Sequence, residues 1–308
     1  MLQSVASSAD KGGATVDQQW ADMLLGAHVS VAGGYLKALD YAQGVGCECA
    51  QIFAKSPRQW RGPGINPTAA EQFALAREES GFGPVFTHTA YLINLSTTDS
   101  VLRDKSIRAL ADELQRGSLL GAAGVVTHVG NDPGADPAAA AARVGAACVE
   151  AFELAGGSDC ATRLLLENTA GAGRTFGSSF EELAACIAES GLPARRLGLC
   201  LDTCHAWAYG MEVDSEKGWR EVVDAIASSC GVDRLGLVHA NDCLFERGSR
   251  KDRHAWIGDG FIGLPGFAAM LCVPELEAVC AVTEMPGEVP EKDAVNLTRL
   301  RELRDACS

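Results

Sequence analysis

The chain is predicted to fold as one α/β domain, a (β/α)8 TIM barrel, on three observations. Eight short apolar runs, of the kind buried in parallel strands, recur along it. Amphipathic stretches of helix length separate them, and no Pro/Gly-rich linker divides the series. The span available, residues 23 to 308, suits a barrel of roughly 250 residues with insertions. At 308 residues, 47% hydrophobic and 21% charged, the chain can bury a large core, which excludes a disordered or fibrous protein.

Residues 1–22 are polar and rich in Gly, Ser and Ala, with no apolar period, and are expected to form a mobile N-terminal extension. The barrel domain is expected over 23–308. Its strands are read at LLGAHVS (core 25–30), CAQIFA (49–54), PVFTHT (84–89), GVVTHVG (124–130), RLLLENT (163–169), LGLCLDT (197–203), RLGLVHAND (234–242) and EAVCAVTEMP (277–286). Helices are predicted over 100–119, over the Ala-rich 136–155, and over 290–306 at the end of the chain.

Forty acidic against 26 basic residues give a net charge of −14, which argues against nucleic-acid or membrane binding through a generally basic surface and leaves room only for a local basic groove. No apolar stretch approaches the ~18 residues of a membrane span, and the start lacks the order of a signal peptide. The 12 cysteines are scattered without a CxxC pair, mostly among Ala, Val and Leu, as buried reduced thiols are. An unexported, intracellular protein with no membrane partner is expected.

In such a barrel the site lies at the C-terminal ends of the strands. The last polar residue of each run is therefore informative. These are His28, His88, His128, Glu167, Asp202 with His205 just beyond, His239 and Glu284; only the second run offers none. From His88 onward each follows the last by about one strand-plus-helix unit. His254, in the long loop after the seventh run, completes the six histidines of the chain. Histidines that merely fill space would be found elsewhere too. Imidazole and carboxylate together suit zinc, manganese or iron. Five or six histidines with Glu167, Asp202, Asp252 and Glu284 are too many for one ion and suit a cluster of two or three. A positive multi-metal pocket fits an anionic, oxygen-rich group, most simply a phosphodiester, although a sugar isomerase could use a related arrangement.

At these residues the sequence resembles the endonuclease IV family of apurinic/apyrimidinic endonucleases, from about Leu25 to the C-terminus. The stretches that carry the resemblance are GAHVSVAGG (26–34), KSPRQW (55–60), HTAYLINL (88–95), LENTAG (166–171), CLDTCHAWAYG (200–210), HANDCLFERGSRKDRHAWIGDGFIG (239–263) and TEMPG (283–287). The resemblance implies His88 and His128 on one zinc and Glu167 bridging to a second, which Asp202, His239 and Glu284 also hold. His205, Asp252 and His254 would hold a third, with Mn2+ admissible at one site.

By the same resemblance Arg58, Tyr91 and Leu92 wedge into double-stranded DNA as an abasic nucleotide is turned out. The protein would act as a monomer and cleave the phosphodiester 5′ to the abasic site by attack of metal-bound hydroxide, leaving a 3′-hydroxyl and a 5′-deoxyribose phosphate. It would also trim blocked 3′ ends. Glu167 would orient the hydroxide and Glu284 assist its deprotonation. Three departures from the family pattern flank ligands without removing any: HTAYLINL for HDSYLINL, HVGND for HPGSH, and NDCLF for NDSK, the last placing Leu244 where a lysine could meet phosphate.

Other residues have blander readings. His28 has no ligand role in the pattern and is expected to hydrogen-bond beside the site. Cys204 reads as buried filler, and Trp60 and Trp207 as packing residues. Among Arg247, Arg250, Lys251 and Arg253, at least one is expected to touch phosphate. A sugar isomerase or epimerase on the same barrel, and a catalytically silent binder of damaged DNA, are the alternatives. A third metal argues against the first, and cleavage would exclude the second.

Overall fold

A computed structural model describes residues 22–131, 134, 136–286 and 291–307. All but the last residue of the expected N-terminal extension lies outside the described residues. Eight parallel strands close in the order expected of consecutive strand–helix units: β1 (Leu25–His28), β2 (Cys49–Phe53), β3 (Val85–His88), β4 (Gly124–His128), β5 (Arg163–Glu167), β6 (Leu197–Asp202), β7 (Leu235–His239) and, after an inserted ribbon, β10 (Cys280–Thr283), which pairs back to β1. The barrel interior is filled by Cys49, Phe86, Val126, Leu165, Cys200, Leu237, Cys280 and Val282. A much larger apolar layer lies between the strands and the outer helices. Gly26 has to lack a side chain because a Cβ there would strike the backbone carbonyl of Cys49 on the neighbouring strand.

The helices are α1 (Tyr35–Gly44), α2 (Pro67–Ser80), α3 (Ser100–Leu119), α4 (Pro137–Leu154), α5 (Phe180–Ser190), α6 (Thr203–Tyr209), α7 (Glu216–Ser229), α8 (Gly263–Leu271) and α9 (Glu291–Asp305). The predicted 100–119 helix coincides with α3, which begins where the Asp99 side chain accepts the N–H groups of Val101 and Leu102. Asp136 caps α4 in the same way, so the Ala-rich helix starts one residue later than predicted.

Two expectations need correction. The seventh run does not continue to 242: after His239 the chain leaves the barrel, and β8 (Asp242–Cys243) pairs antiparallel with β9 (His254–Ala255). Asp242 explains the break, since its carboxylate accepts backbone N–H groups from Cys243, Gly258, Gly260, Ile262 and Gly263 and gathers the whole loop around itself. The second concerns the thiols. Ten cysteines are free and nine of those are buried, as expected, but Cys272 and Cys307 form a disulfide. They follow α8 and α9, two helices that pack together and bring the Cα atoms to 5.4 Å.

Candidate metal centre at the barrel mouth

Parallel strands of similar length end at one level, so their last side chains converge. His88, His128, Glu167, Asp202 and His239 are each the final residue of a strand, and Glu284 directly follows β10. Glu167 sits at the centre and is almost fully buried. Its Oε2 lies 3.1 Å from His88 Nε2 and 3.4 Å from His128 Nε2. Its Oε1 lies 2.9 Å from His239 Nδ1 and 3.5 Å from His205 Nδ1. The two oxygens of one carboxylate thus face two different donor sets.

Three groups follow from these contacts, each with its potential ligand atoms within 4.8 Å of one another: His88, His128 and Glu167; Glu167, Asp202, His239 and Glu284; and His205, Asp252 and His254. All nine residues singled out as ligands therefore gather at one place. His205 Nε2 and His254 Nε2 both stand 3.2 Å from Asp252, which is the most exposed member at 51%. A fourth group joins Cys204 to Asp202 and His254. A hydrogen bond with Cys243, reinforced by burial, pushes the Cys204 thiol far up, so it remains a neutral thiol, in keeping with its reading as filler.

The rings are aimed by their second nitrogens. His88 Nδ1 donates to Thr89 O, His205 Nδ1 to Asn168 O and His254 Nδ1 to Glu284 O, each at 2.9 Å, which leaves Nε2 of all three unprotonated and facing the carboxylates when the ring is neutral. His239 is turned the other way. Gln51 Oε1 accepts from its Nε2 at 2.9 Å, so Nδ1 points at Glu167 and Glu284.

Gln51 corrects the reading that the second strand contributes nothing. Fully buried on β2, its amide also donates to Glu284 at 2.8 Å and meets His28 Nδ1 at 2.9 Å. His28 takes the hydrogen-bonding place expected of it, 3.3 Å from Glu284. Asn168 and Asn241 were also missed. Asn168 brackets the Asp202 backbone, and Asn241 donates to the carboxylates of both Asp202 and Glu284. A polar amide within an apolar strand run, or directly beyond one, was the available signal.

Charge at the site is balanced internally. Burial would raise Glu167, but His128, His239 and His88 outweigh it and hold the carboxyl well below the usual range. Burial lowers the imidazoles while the acids raise them. Burial wins at His128, which falls to about 4, whereas Asp202 and Asp252 win at His205, pushed up to about 10. His254 rises to about 9 against its burial through Asp252 and Asp202. Protons on buried imidazoles thus supply the positive charge that these acids require. Divalent ions would supply the same charge at the same atoms. Among the described residues His128 Nδ1 is buried without a hydrogen-bond partner, and the mixed imidazole and carboxylate donors suit zinc-like ions.

The rim carries the remaining predicted residues. Arg58, in the loop after β2, is exposed, as are Tyr91 (62%) and Leu92 in the loop after β3, and the two loops are joined by a hydrogen bond from Tyr91 N to Pro57 O. Arg247, Arg250, Lys251 and Arg253 are all exposed on the loop between β8 and β9 that carries Asp252. Arg247 pairs with Glu212, while Arg250 and Lys251 lie over the rings of Tyr209 and Phe245. Leu244, in place of the family lysine, is exposed. Trp207 is buried with its indole N–H on Phe245 O, and Trp60 lies under Lys105, both in packing roles.

A closed barrel with imidazoles and carboxylates clustered at its mouth defines a xylose isomerase-like TIM barrel, and the family so described matches residues 39–303. Within that class the relatives are more specific. The chain is 40% identical to "Probable endonuclease 4" of Methanoculleus marisnigri, over 92% of this chain and all of that protein, and 41% identical to the protein of the same name from Oleidesulfovibrio alaskensis, over 91% and 95%. The crystal structure of endonuclease IV from Thermus thermophilus superposes with a TM-score of 0.80 at 38% identity, covering 92% of this chain and 99% of that one. This chain belongs to the endonuclease IV family, whose members are DNA-repair nucleases.

Proposed function

We propose that this protein is a zinc-dependent endonuclease that incises double-stranded DNA on the 5′ side of an abasic site, leaving a 3′-hydroxyl and a 5′-deoxyribose phosphate, and that it also trims blocked 3′ ends. The observation that carries the reading is Glu167, whose two oxygens face separate sets of ligand atoms at the centre of the mouth. Cleaving a phosphodiester in line requires charge on both the attacking and the leaving side, and a carboxylate shared between donor sets holds those sides at a fixed separation.

His88 and His128 form one set with Glu167; Asp202, His239 and Glu284 form the second with the same carboxylate; His205, Asp252 and His254 form the third. Three divalent ions held there, zinc with manganese admissible at one position, would supply a water acidic enough to ionise near pH 7 and positive charge for the leaving oxygen. Glu167 orients the attacking water. Glu284, held by Gln51, Asn241 and His28, takes up its proton. The exposed cations of the 247–253 loop give an acidic chain a local grip on phosphate, so binding should weaken steeply with salt. Arg58, Tyr91 and Leu92 replace stacking lost when the abasic nucleotide leaves the helix, a step made cheaper by its missing base. The protein would work as an intracellular monomer.

The test is incision of a duplex bearing one synthetic abasic site, with both product ends identified. Cleavage 5′ to the site with a 3′-hydroxyl is expected. Binding without cleavage by fully metallated protein would select the silent binder instead, and turnover of a ketose or aldose in its place would select the isomerase.

A further inference from the structure

Lys55 opens the KSPRQW stretch beside Arg58, and a lysine there invites the reading of a phosphate contact. The structure excludes it. The Lys55 side chain is 0% exposed, and its Nζ lies 2.6 Å from Asp112 and 3.3 Å from Glu113, consecutive residues of α3 of which Glu113 is buried and Asp112 half-buried. The same pair of acids reaches further in both directions. Asp112 also accepts from Arg116 Nε at 2.9 Å, and Arg116 turns its other nitrogens to the carbonyls of Pro63 and Gly62, at the far end of the Arg58 loop. Glu113 Oε1 accepts the backbone N–H of Ala90 at 3.3 Å, next to Tyr91.

Further contacts follow the same lines. Gly62 crosses so near Lys55 that a Cβ would lie 2.8 Å from the lysine Cβ. Lys105, about two helical turns before Asp112 on α3, sits over the Trp60 ring. Ser106 accepts the N–H of Asn94, two residues beyond Leu92. The loops after β2 and β3 are therefore both fastened to one helix, and to each other through Tyr91 N and Pro57 O.

We infer that the ionic cluster of buried Lys55, Glu113 and Arg116 with half-buried Asp112 is a clamp that fixes the Arg58 loop and the Tyr91–Leu92 loop relative to each other, making Lys55 and Glu113 positioning residues for the distortion of DNA. The inference rests on the reading of those loops as the DNA wedge. Prising a base step open costs a few kcal/mol, and a wedge that yields under that load returns the cost as lost binding. Two loops from different strands resist it only if something holds them as one body. A charge cluster suits the task because removing one partner leaves a buried charge uncompensated, so the arrangement has few alternatives. Among the described residues no member contacts a ligand side chain; the nearest link is Glu113, which accepts the N–H of the Thr89–Ala90 peptide whose carbonyl aims His88, and Glu113→Gln preserves that bond, so the variants act on DNA distortion and leave metal binding alone.

The experiment compares wild type, Lys55→Met and the milder Glu113→Gln, which keeps an acceptor for Ala90. Each is assayed on two probes: a regular duplex with one abasic site, and the same site in a bulge that is already unstacked. Metal content and fluorescence of a 2-aminopurine beside the site are read in parallel. Both variants should keep wild-type metal content and bulge cleavage. On the regular duplex KM should rise about tenfold for Lys55→Met and less for Glu113→Gln, with a matching loss of the unstacking signal. Unchanged KM in both variants would overturn the inference. So would an equal loss on both probes, which marks a purely structural role. If wild type cleaves neither probe, the reading of function fails first, and the two failures are thereby told apart.

Discussion

The two ends of the barrel treat charge in opposite ways. At the end where the strands begin, Glu48, Arg163, Arg234 and Arg304 each meet fixed partners within the chain. Glu48, just before β2, accepts Leu25 N and two bonds from Arg304 on α9, closing the first strand against the last helix. Arg163 spans to the carbonyls of Asp233 and Arg234, and Arg234 to those of Leu192 and Leu197. At the mouth, four carboxylates and five imidazoles face one another, and only protons or added cations balance them. One end spends its charges on closure. The other holds them in reserve, which costs stability and is the expected mark of a working site.

The sharpest way to break this contrast is Glu167→Gln, which keeps shape and removes the shared charge. Incision should fall by about a thousandfold or more while the far-UV circular dichroism of the folded protein is retained. Full activity would remove Glu167 from its central place. Gln51→Leu should have the next largest effect. It keeps the volume on β2 but frees His239 and Glu284 to turn, so metal affinity or activity should drop roughly 10- to 100-fold, as loss of a ligand's supporting hydrogen bond commonly does. Metal titration followed by incision checks it, and an unaltered titration would show that the rings are aimed by the strands alone.

Glu48→Gln probes the opposite end and should move only stability. The loss is about 1 kcal/mol, the scale of a partly exposed ion pair, with incision unchanged. Burial would raise the Glu48 carboxyl, but the Arg304 hydrogen bonds and the Leu25 N–H hold it below the usual range. A depressed folded pKa means the stabilisation is present above the unfolded pKa and fades as pH falls through the folded one. The difference in melting temperature between variant and wild type should therefore be full at neutral pH and shrink in acid. A gap that persists in acid would mean packing, not charge, holds that corner.

The same contrast explains what the sequence disclosed. Strand ends are readable because a polar residue closing an apolar run stands out, so His88, His128, Glu167, Asp202, His239 and Glu284 were found along with the barrel itself. Gln51 escaped because it lies inside its run, where side-chain alternation hides which polar group turns toward the site. Asp242 read as the end of a strand, although its role is to collect N–H groups from a loop some twenty positions further on. Lys55 drew no reading of its own, since nothing local reveals that α3 brings two acids against it. The Cys272 to Cys307 bond needs the packing of α8 on α9. Each omission depends on a contact between distant elements, which period and spacing do not encode.

The account turns on the mouth as a place where cations replace protons, and the metal content of the purified protein tests that most directly. Elemental analysis of wild type should find about three divalent ions per chain, mainly zinc, with exhaustive chelation abolishing incision and readdition of zinc or manganese restoring it. Fully active protein carrying less than one ion per chain would contradict it.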